Sequence, residues 1–540
     1  MPTTIGGVAR QVRGRGVDAA RIARLTRDLP RFLRRPISLG TALQHVRGRL
    51  ATREARFLTL VERGIYGHPR SPYRKLLACA GCEIGDFRAL LAHEGIEGTL
   101  RVLADRGVYL AVDEQKGYRP VIRGSQRIEI HHGDFDNPLV PKHFSVYSSG
   151  SGGQPSRIAR SLPQIAEVSE TVVVVLDAHG IHDPRHVVWL TGPVNKLLNY
   201  AKLGHECVAW FYPLPTLPLE VRAGRHYLAW VGRLGGYRFP PPDYLDLHQP
   251  ERLAAWLASE RADGRPILVS TTASSSVRVA VAAAELGISL DHVAFHAQGE
   301  PVTEVRRRAI EAVGARVIVN YGGTEVNSIA YGCVSPGAVD DVHLFHDRWA
   351  LITRRRAVFE GGPEVDALLF TALSPRAPHV SLNAEVGDYA RVATRDCGCK
   401  LGEFGLRTHL SDIRSFEKLT GEGMTVVRTN IVRVLEEVLP SRFGGSSIDY
   451  QLVEQEGPDG ATRLVLRVHP AVGPLDESVV RAALLDGIKG EGLLDSFMSE
   501  MWRRAGTVTV SREPPAAGPG GKTPSIQLLT GSAVGAAGRP

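Results

Sequence analysis

The pattern of apolar and polar residues changes along the chain. Residues 40–108 repeat apolar positions at helical spacing, as at Phe57, Leu60 and Val61, with a break near Pro69, and this periodicity predicts helices. Short β-branched runs separated by helical segments follow between residues 120 and 375. The runs that we predict as strands are 172–176, 207–211, 267–270, 293–296, 317–319 and 368–371.

Apolar runs of this kind indicate strands that are buried on both faces, and therefore a largely parallel sheet covered by helices. One amphipathic segment between two of the strands, residues 302–313, is predicted as a helix that ends at Gly314. Beyond residue 415, segment 426–439 has helical periodicity. Further strands are predicted at 452–453, 464–468 and 508–510.

We therefore expect an α/β protein. A large N-terminal domain would contain mostly parallel sheets flanked by helices, and a small, mobile α+β domain would follow it. The predicted boundaries are a basic helical extension at 1–115, a core domain at 116–414 and a C-terminal domain at 415–540.

Composition is ordinary for a soluble globular protein of more than one domain: 540 residues, 43% hydrophobic and 23% charged. No apolar run approaches the length of a membrane span, and the N-terminus lacks the apolar centre of a signal peptide. Six cysteines do not suggest a disulfide scaffold, so a cytoplasmic location is expected.

The net charge of +8 is partly local, since residues 1–54 contain many arginines, Arg31, Arg34 and Arg35 among them. Such an arm can contact anionic lipid or nucleic acid. It can also be a solvated or disordered extension, which is the interpretation that we favour. We expect no nucleic-acid partner.

A Ser/Gly-rich loop follows a predicted strand at 144–147 and precedes a predicted helix. Its residues are Ser148, Ser149, Gly150, Ser151, Gly152 and Gly153, with Gln154 and Pro155 after them. Backbone N–H groups and hydroxyls in such a loop can bind phosphate oxygens. The alternative is a flexible linker.

Downstream residues complete a site for nucleotide chemistry. Segment 321–325, Tyr-Gly-Gly-Thr-Glu, follows a strand at the sheet edge where ligands gather. Glu325 can hold Mg²⁺, Asp388 can accept hydrogen bonds from ribose, and Lys522 can supply positive charge. In this order the residues indicate a protein that holds ATP and activates a carboxylate. Taken singly, Asp388 could be a turn residue and Lys522 an exposed tail lysine.

The motifs resemble those of the adenylate-forming superfamily, and within it the phenylacetate–CoA ligase-like branch. The resemblance covers roughly residues 66–530. That branch carries a Ser/Gly loop, Y-G-x-T-E at 321–325, and G-E-P, which is matched by Gly299, Glu300 and Pro301. A G-D pair, an Arg and a terminal G-K follow, matched here by Gly387 with Asp388, Arg414, and Gly521 with Lys522.

The resemblance implies a role for each motif. Thr324 and Glu325 would bind Mg²⁺ and phosphate, and Asp388 and Arg414 would hold the ribose. Lys522 would assist adenylation and then leave as the small domain rotates to admit CoA. The nucleotide would also contact the Ser/Gly loop, the G-E-P residues, Tyr321, Gly322 and Gly323.

Two positions depart from the family pattern. Gln154 stands where the loop usually has a lysine, so Arg157 is the candidate for the missing phosphate contact. After Arg414 the family expects Gly-Arg and acidic residues at the hinge between the domains. This chain instead offers Phe416, Glu417 and Lys418 as hinge candidates.

Cys397 and Cys399 are by themselves a weak metal signal, because structural zinc usually binds cysteines at wider spacing. The branch often has a Cys, then a His, then a C-x-C near these places. That pattern implies structural Zn²⁺ on Cys333, His343, Cys397 and Cys399, with His346 as the alternative fourth ligand. Reduced thiols beside a surface histidine are the alternative. Cys79 and Cys82 are interpreted as buried small hydrophobic residues.

The expected activity is that of an acyl- or aryl-CoA ligase that uses ATP, Mg²⁺ and CoA and releases AMP and pyrophosphate. One alternative transfers the acyl group to a carrier protein, a protein side chain or an amine. Another is a degenerate nucleotide-binding protein without turnover, an alternative that Gln154 and the unusual hinge keep open. The sequence does not identify the carboxylate or the oligomeric state.

Overall fold

The computed structural model of the chain describes residues 5–131, 133–147, 157–215, 219–260, 264–357, 364–416, 418–421, 424–457, 460–488, 493–516 and 525–527. Its α-helices are α1 (Ile5–Leu33), α2 (Leu39–Ala51), α3 (Arg53–Leu60), α4 (Pro72–Cys79), α5 (Ile84–Asp105), α6 (Val112–Gln115), α7 (Leu162–Ala178), α8 (Val194–Leu203), α9 (Leu219–Leu234), α10 (Pro250–Ser259), α11 (Ala273–Glu285), α12 (Glu304–Glu311), α13 (Lys400–Glu403), α14 (Arg428–Arg433), α15 (Leu439–Phe443), α16 (Glu477–Ile488) and α17 (Leu493–Ala505). Short π-helical segments occupy Val61–Tyr66 and Val434–Val438, and 3₁₀ turns occupy Ser447–Asp449 and Pro470–Val472.

The strands are β1 (Val121–Arg123), β2 (Gln126–Ile128), β3 (Phe144–Tyr147), β4 (Arg157–Arg160), β5 (Arg185–Trp189), β6 (Cys207–Tyr212), β7 (Pro242–Tyr244), β8 (Ile267–Thr272), β9 (Val293–Gln298), β10 (Arg316–Gly323), β11 (Asn327–Gly332), β12 (Val342–Leu344), β13 (Trp349–Ala357), β14 (Glu364–Ala372), β15 (Ala384–Thr394), β16 (Thr408–Ser415), β17 (Lys418–Gly421), β18 (Met424–Val427), β19 (Tyr450–Glu456), β20 (Thr462–Val468), β21 (Val508–Ser511) and β22 (Ile526–Gln527).

A 12-stranded sheet organises the fold, in the order β13-β14-β15-β16-β12-β11-β10-β9-β8-β5-β6-β7. The strands from β10 to β7 pair in parallel through β9, β8, β5 and β6. The remaining pairs, from β10–β11 to β13–β14, are antiparallel. The predicted α/β class is confirmed, and its parallel character belongs to one half of the sheet.

Five of the six predicted runs lie in strands of this sheet: β6, β8, β9, β10 and β14. Residues 172–176 were predicted wrongly as a strand, because they lie in α7. The side chain of Ser161 accepts a hydrogen bond from the Gln164 N–H and so caps that helix, and Pro163 occupies its first turn. Val172, Val174 and Val175 are all buried, so an apolar run without amphipathic spacing is compatible with a helix.

Residues 19–54 are not a solvated extension, contrary to our interpretation of the arginine-rich N-terminus. Leu29 of α1 and Val46 of α2 are fully buried. Arg49 is also buried, and its guanidinium contacts Asp347 at 2.7 Å and the carboxylate of Glu170. The first helices therefore belong to the core. Their apolar residues are buried, and the buried Arg49 of α2 is paired with acids from distant segments.

The last part of the chain has a sheet and a hydrophobic cluster of its own. Strands β21, β20, β19 and β22 form a four-stranded sheet, and residues such as Leu435, Leu464 and Trp502 form the buried cluster. Within the described part of the chain, no helix combines the length and apolar composition that a membrane span requires.

Candidate functional site

A cleft of about 1840 Å³ opens where the carboxyl ends of β8, β9 and β10 meet the antiparallel strands β15 and β16. The lining includes residues 298–302 after β9, residues 319–329 around the turn after β10, Asp388 of β15 and Arg414 of β16. Ligands of α/β proteins bind at this edge of a sheet. The predicted motifs that lie in the described ranges meet in this cleft.

Segment 321–325 forms the tight turn between β10 and β11. A Cβ atom at Gly322 would lie 1.9 Å from the Asn327 carbonyl oxygen, so only glycine fits there. The register of the hairpin shifts between Tyr321 and Gly322. Gly322 therefore has a structural role that brings Thr324 and Glu325 to the cleft wall.

Tyr321 and Asp388 are bound to each other in the lining of the cleft. The Tyr321 hydroxyl donates a 2.9 Å hydrogen bond to Oδ2 of Asp388. Burial, followed by the neighbouring Asp388 charge, raises the pKa of Tyr321 well above its ordinary value, so the phenol stays protonated. Asp388 lies opposite Ser415 in the β15–β16 pair, which places it beside Arg414.

Arg414 is held by the turn that precedes β12. Its Nη1 donates to the Asp340 carboxylate at 3.2 Å and to the Ile413 carbonyl at 2.7 Å. Asp340 also accepts the backbone N–H groups of Asp412 and Ile413, both at 2.9 Å. The Arg414 Nε is buried and has no hydrogen-bond partner among the described residues. The guanidinium therefore keeps a donor at the cleft wall.

The Glu300 side chain takes part in structural contacts. Its Oε2 accepts hydrogen bonds from the Ser274 N–H at 2.8 Å and from the Ser274 hydroxyl, and lies 3.3 Å from Nη1 of Arg306. Arg306 also donates to the Gly460 carbonyl and the Thr462 hydroxyl. Through these contacts Glu300 and Arg306 connect the cleft rim to the β19–β20 hairpin.

Arg160 lines the cleft and belongs to none of the predicted motifs. It lies at the end of β4 with 1% of its surface exposed. One Nη donates to the Thr324 carbonyl, while Nε and the other Nη have no partner in the described chain. Burial lowers the pKa of Arg160 to about 10, against the opposing effect of Glu325. Its only sequence signal was its position shortly after the Ser/Gly loop, at the end of β4 and just before α7.

Several predicted residues lie outside the described ranges. They are Ser148, Ser149, Gly150, Ser151, Gly152, Gly153, Gln154, Glu417 and Lys522. Among the hinge candidates, Phe416 is buried, with its backbone N–H bonded to the Gly387 carbonyl at 3.0 Å. Arg157 lies in β4 and lines the cleft.

A second cluster lies behind the cleft, where Cys333, His343, Cys397 and Cys399 place their ligand atoms within 4.8 Å of one another. Nε2 of His343 is 3.2 Å from the Cys399 sulfur and 3.7 Å from the Cys397 sulfur. Nδ1 of His343 lies 2.6 Å from the Leu406 carbonyl oxygen, which fixes the ring with Nε2 toward the sulfurs.

Three sulfurs and one imidazole nitrogen suit tetrahedral Zn²⁺. The alternative ligand His346 does not belong to this cluster among the described residues, and neither do Cys79 and Cys82. Cys79 is exposed, so the expectation that both of these cysteines are buried was wrong for Cys79 and correct for Cys82.

No family model and no curated protein matches this chain. Solved structures do. A 2-hydroxyisobutyryl-CoA ligase, in complex with 2-HIB-AMP and CoA, is similar with a TM-score of 0.54 and 15% identity, over 92% of this chain and 91% of that one. An amide bond synthetase from Marinactinospora thermotolerans has a TM-score of 0.41 and 16% identity, over 92% and 97%. An anthranilate CoA ligase in complex with anthranoyl-AMP has a TM-score of 0.33 and 12% identity, over 77% and 69%. This chain shares the fold of the first of these proteins along nine-tenths of its length.

Proposed function

We propose that this chain uses ATP to activate a carboxylic acid as an acyl-adenylate and then transfers the acyl group to CoA. The observation that carries the proposal is the hydrogen bond between Tyr321 and Asp388 in a cleft that also contains segment 321–325 and Arg414. The fold shared with a CoA ligase whose structure contains an acyl-AMP supports the same reaction class.

On the nucleotide side, Asp388 accepts hydrogen bonds from ribose hydroxyls while Tyr321 fixes the carboxylate in position. Arg414 contributes a donor beside it, since its Nε has no partner in the described chain. The backbone of residues 299–301 forms the neighbouring wall, with Glu300 holding that turn. These groups orient the nucleotide so that the carboxylate of the acid can attack the α-phosphate in line with the departing pyrophosphate.

On the phosphate side, Thr324 and Glu325 stand opposite the buried guanidinium of Arg160. One carboxylate together with substrate phosphates is a typical Mg²⁺ donor set, and the ion would neutralise charge on the phosphates. We assign the Ser/Gly loop at 148–153 to the phosphates. Lys522 is assigned to the charge that develops during adenylation.

CoA is the acceptor that the fold similarity favours, and it distinguishes this proposal from transfer to a carrier protein, a side chain or an amine. The shared fold extends over nine-tenths of a protein whose structure contains CoA in its thioesterification state. The alternative acceptors would use the same adenylation site. They differ only in the group that attacks the acyl carbon.

We also propose that Cys333, His343, Cys397 and Cys399 hold one structural Zn²⁺. The grouping of three thiols around a histidine nitrogen that is oriented by a carbonyl supports this. The ion would tie the end of β11 to the segment after β15, and it leaves no open position for a substrate.

Two measurements separate the candidate functions. Acid-dependent release of pyrophosphate without any acceptor distinguishes an adenylating enzyme from a nucleotide-binding protein without turnover. Formation of a CoA thioester upon addition of free CoA then distinguishes a CoA ligase from enzymes that use other acceptors. No pyrophosphate release with any acid in a broad panel would overturn the proposal.

A further inference from the structure

The acids that line the cleft are confined to one side of it, where Arg160 and Arg414 also lie. The acidic lining residues all belong to the side of β9, β10 and the antiparallel strands; they are Glu300, Glu325, Asp340, Glu385 and Asp388. The described part of the segment from β5 to α9 contributes Lys196 and Arg225 to the lining and no acid. This second region of the cleft is therefore cationic.

Arg225 lies apart from the nucleotide residues, whereas Lys196 is close enough to β9 to contribute, after burial, to the lowered pKa of His296. Lys196 is on α8, which connects β5 and β6, and the guanidinium of Arg225 lies 4.6 Å from the ring centre of Trp210 and 4.3 Å from that of Tyr212, both on β6. In the sheet order β6 is four strands from β10, which carries Tyr321. Strands spaced about 4.8 Å apart place β6 roughly 19 Å from β10.

Both cations are buried without a protein anion. Lys196 is 7% exposed and Arg225 is 9% exposed. Nε and Nη2 of Arg225 have no hydrogen-bond partner, and Lys196 forms no ion pair or hydrogen bond within the described residues. Burial lowers the pKa of Lys196 to about 7 and also lowers the pKa of Arg225. Burying an unpaired charge destabilises a fold, so such a pair calls for a function.

Some buried cations of the described chain have partners, whereas Arg160 on the phosphate side also keeps nitrogens without one. Lys202, on the same helix as Lys196, donates to the carbonyls of Phe32 and Arg35. Arg49 is paired with three carboxylates. The fold therefore pairs Lys202 and Arg49 with its own groups and leaves Arg225, in the region from β5 to α9, for a group that arrives from outside.

Neighbouring neutral groups point to an acceptor-rich ligand. The indole N–H groups of Trp189 and Trp210 and the hydroxyl of Tyr212 are buried, line the cleft and have no partner among the described residues. An indole nitrogen can only donate a hydrogen bond. An acceptor oxygen that reaches these buried atoms would satisfy donors that the described residues leave unpaired.

We infer that the acid activated by this chain carries a second anionic group, and that Arg225 binds that group while the other carboxylate reacts. This inference rests on the proposed adenylation. A dicarboxylate is the simplest compound with the required chemistry. The second carboxylate gives Arg225 a partner and leaves the acidic side of the cleft to Mg²⁺ and ATP.

The test compares straight-chain dicarboxylates with their monomethyl esters in pyrophosphate exchange, without CoA. A charged hydrogen bond in a buried site predicts that the wild-type kcat/KM is about tenfold or more higher for the best diacid than for its monoester. Arg225→Met should bring this ratio close to one while the monoester rate stays within about threefold, because only the distal contact is lost. Arg225→Lys should retain part of the preference.

Thermal melting separates this role from a structural one. Arg225→Met and Lys196→Met should melt at or above the wild-type temperature, because each removes a buried charge that lacks a partner. Lys202→Met is the matched control, and it should melt lower and keep the wild-type ratio. A lowered melting temperature for Arg225→Met together with an unchanged diacid preference would overturn the inference.

Calorimetric titration with the diacid distinguishes failure of this inference from failure of the proposed function. If exchange occurs and the monoesters are used as well as the diacids, the distal site is wrong and adenylation stands. If no acid supports exchange but the diacid binds and Arg225→Met abolishes binding, adenylation is wrong and the anion site stands. Variants that change only thioester formation would assign these cations to CoA and would contradict the inference.

Discussion

The hydroxyl of Tyr321 donates a 2.9 Å hydrogen bond to the carboxylate of Asp388, and this contact joins the parallel and antiparallel halves of the sheet at the floor of the cleft. Tyr321 lies near the end of β10 and Asp388 lies on β15, and 67 positions separate them in the sequence. Buried phenols with a raised pKa remain donors throughout the working pH range. The bond therefore orients a carboxylate without neutralising it.

Tyr321→Phe should raise the KM for ATP by about tenfold with a smaller change in kcat, because a hydrogen bond to a charged acceptor is lost from a group that orients the ribose. The measurement is the rate of pyrophosphate exchange as a function of ATP concentration. Tyr66→Phe serves as the control, since its hydroxyl bonds the Cys82 carbonyl at 2.8 Å and does not line the cleft. Equal ATP dependence in the wild type and Tyr321→Phe would argue against this orienting role.

Arg160→Met should lower the exchange rate by about ten- to a hundredfold, because the turn that carries Thr324 loses its buried donor and the phosphate region loses a positive charge. Arg160→Lys should recover part of the rate by restoring the charge. Titrating Mg²⁺ in each variant tests the link to Glu325, whose charge opposes the lowering of the Arg160 pKa. Full activity and an unchanged Mg²⁺ requirement in Arg160→Met would remove this residue from the site.

Cys399→Ser should lose zinc and lower the melting temperature, because a bound metal contributes its binding free energy to folding. Elemental analysis of purified protein should find about one Zn²⁺ per chain in the wild type and in the control Cys82→Ala, which alters a buried thiol outside the cluster. Removal of zinc by a chelator should reproduce the melting shift. Metal-free wild-type protein with undiminished stability would refute the zinc site.

Arg49→Met should destabilise the fold by about 3–5 kcal/mol, because it leaves buried carboxylates without their cation. Burial alone would lower the pKa of Arg49, but the charges of Asp347, Glu167 and Glu170 raise it above the ordinary value. Arg49 therefore stays charged and paired with these acids at any working pH. Arg47→Met, at an exposed position of the same helix, should cost no more than about 1 kcal/mol. Denaturant unfolding measures both variants, and equal effects would mean that α2 is not part of the core.

Sequence patterns predicted local features of the fold better than features that depend on distant partners. The strands at 267–270 and 293–296 were predicted correctly, because a short apolar run between helical segments is typical of a strand buried in a parallel sheet. Residues 172–176 were assigned to a strand because burial on all sides hides helical periodicity. In the sequence Arg49 resembles a surface charge, because the acids that pair with it, Glu170 of α7 and Asp347, are far away along the chain.

The residues of the candidate site also fall into those that the sequence identified and those that only the folded chain reveals. Motif order identified Tyr321 and Asp388, which the fold brings into contact. Arg160 and Arg225 belong to no motif, and their importance depends on burial without an anionic partner, which only the folded chain reveals. The family resemblance implied the cysteine cluster with His343, and the fold brings the ligand atoms of those four residues together without His346.

Exchange of labelled pyrophosphate into ATP, driven by a carboxylic acid in the absence of CoA, tests the proposed activity most directly. We predict exchange that requires Mg²⁺ and an acid, with a dicarboxylate most effective. Lys522→Ala should reduce it by about a hundredfold or more, while thioester formation from pre-made acyl-adenylate stays nearly intact. Absence of exchange across a broad acid panel, from protein that is folded and binds ATP, would contradict the assignment of this chain as an adenylating enzyme.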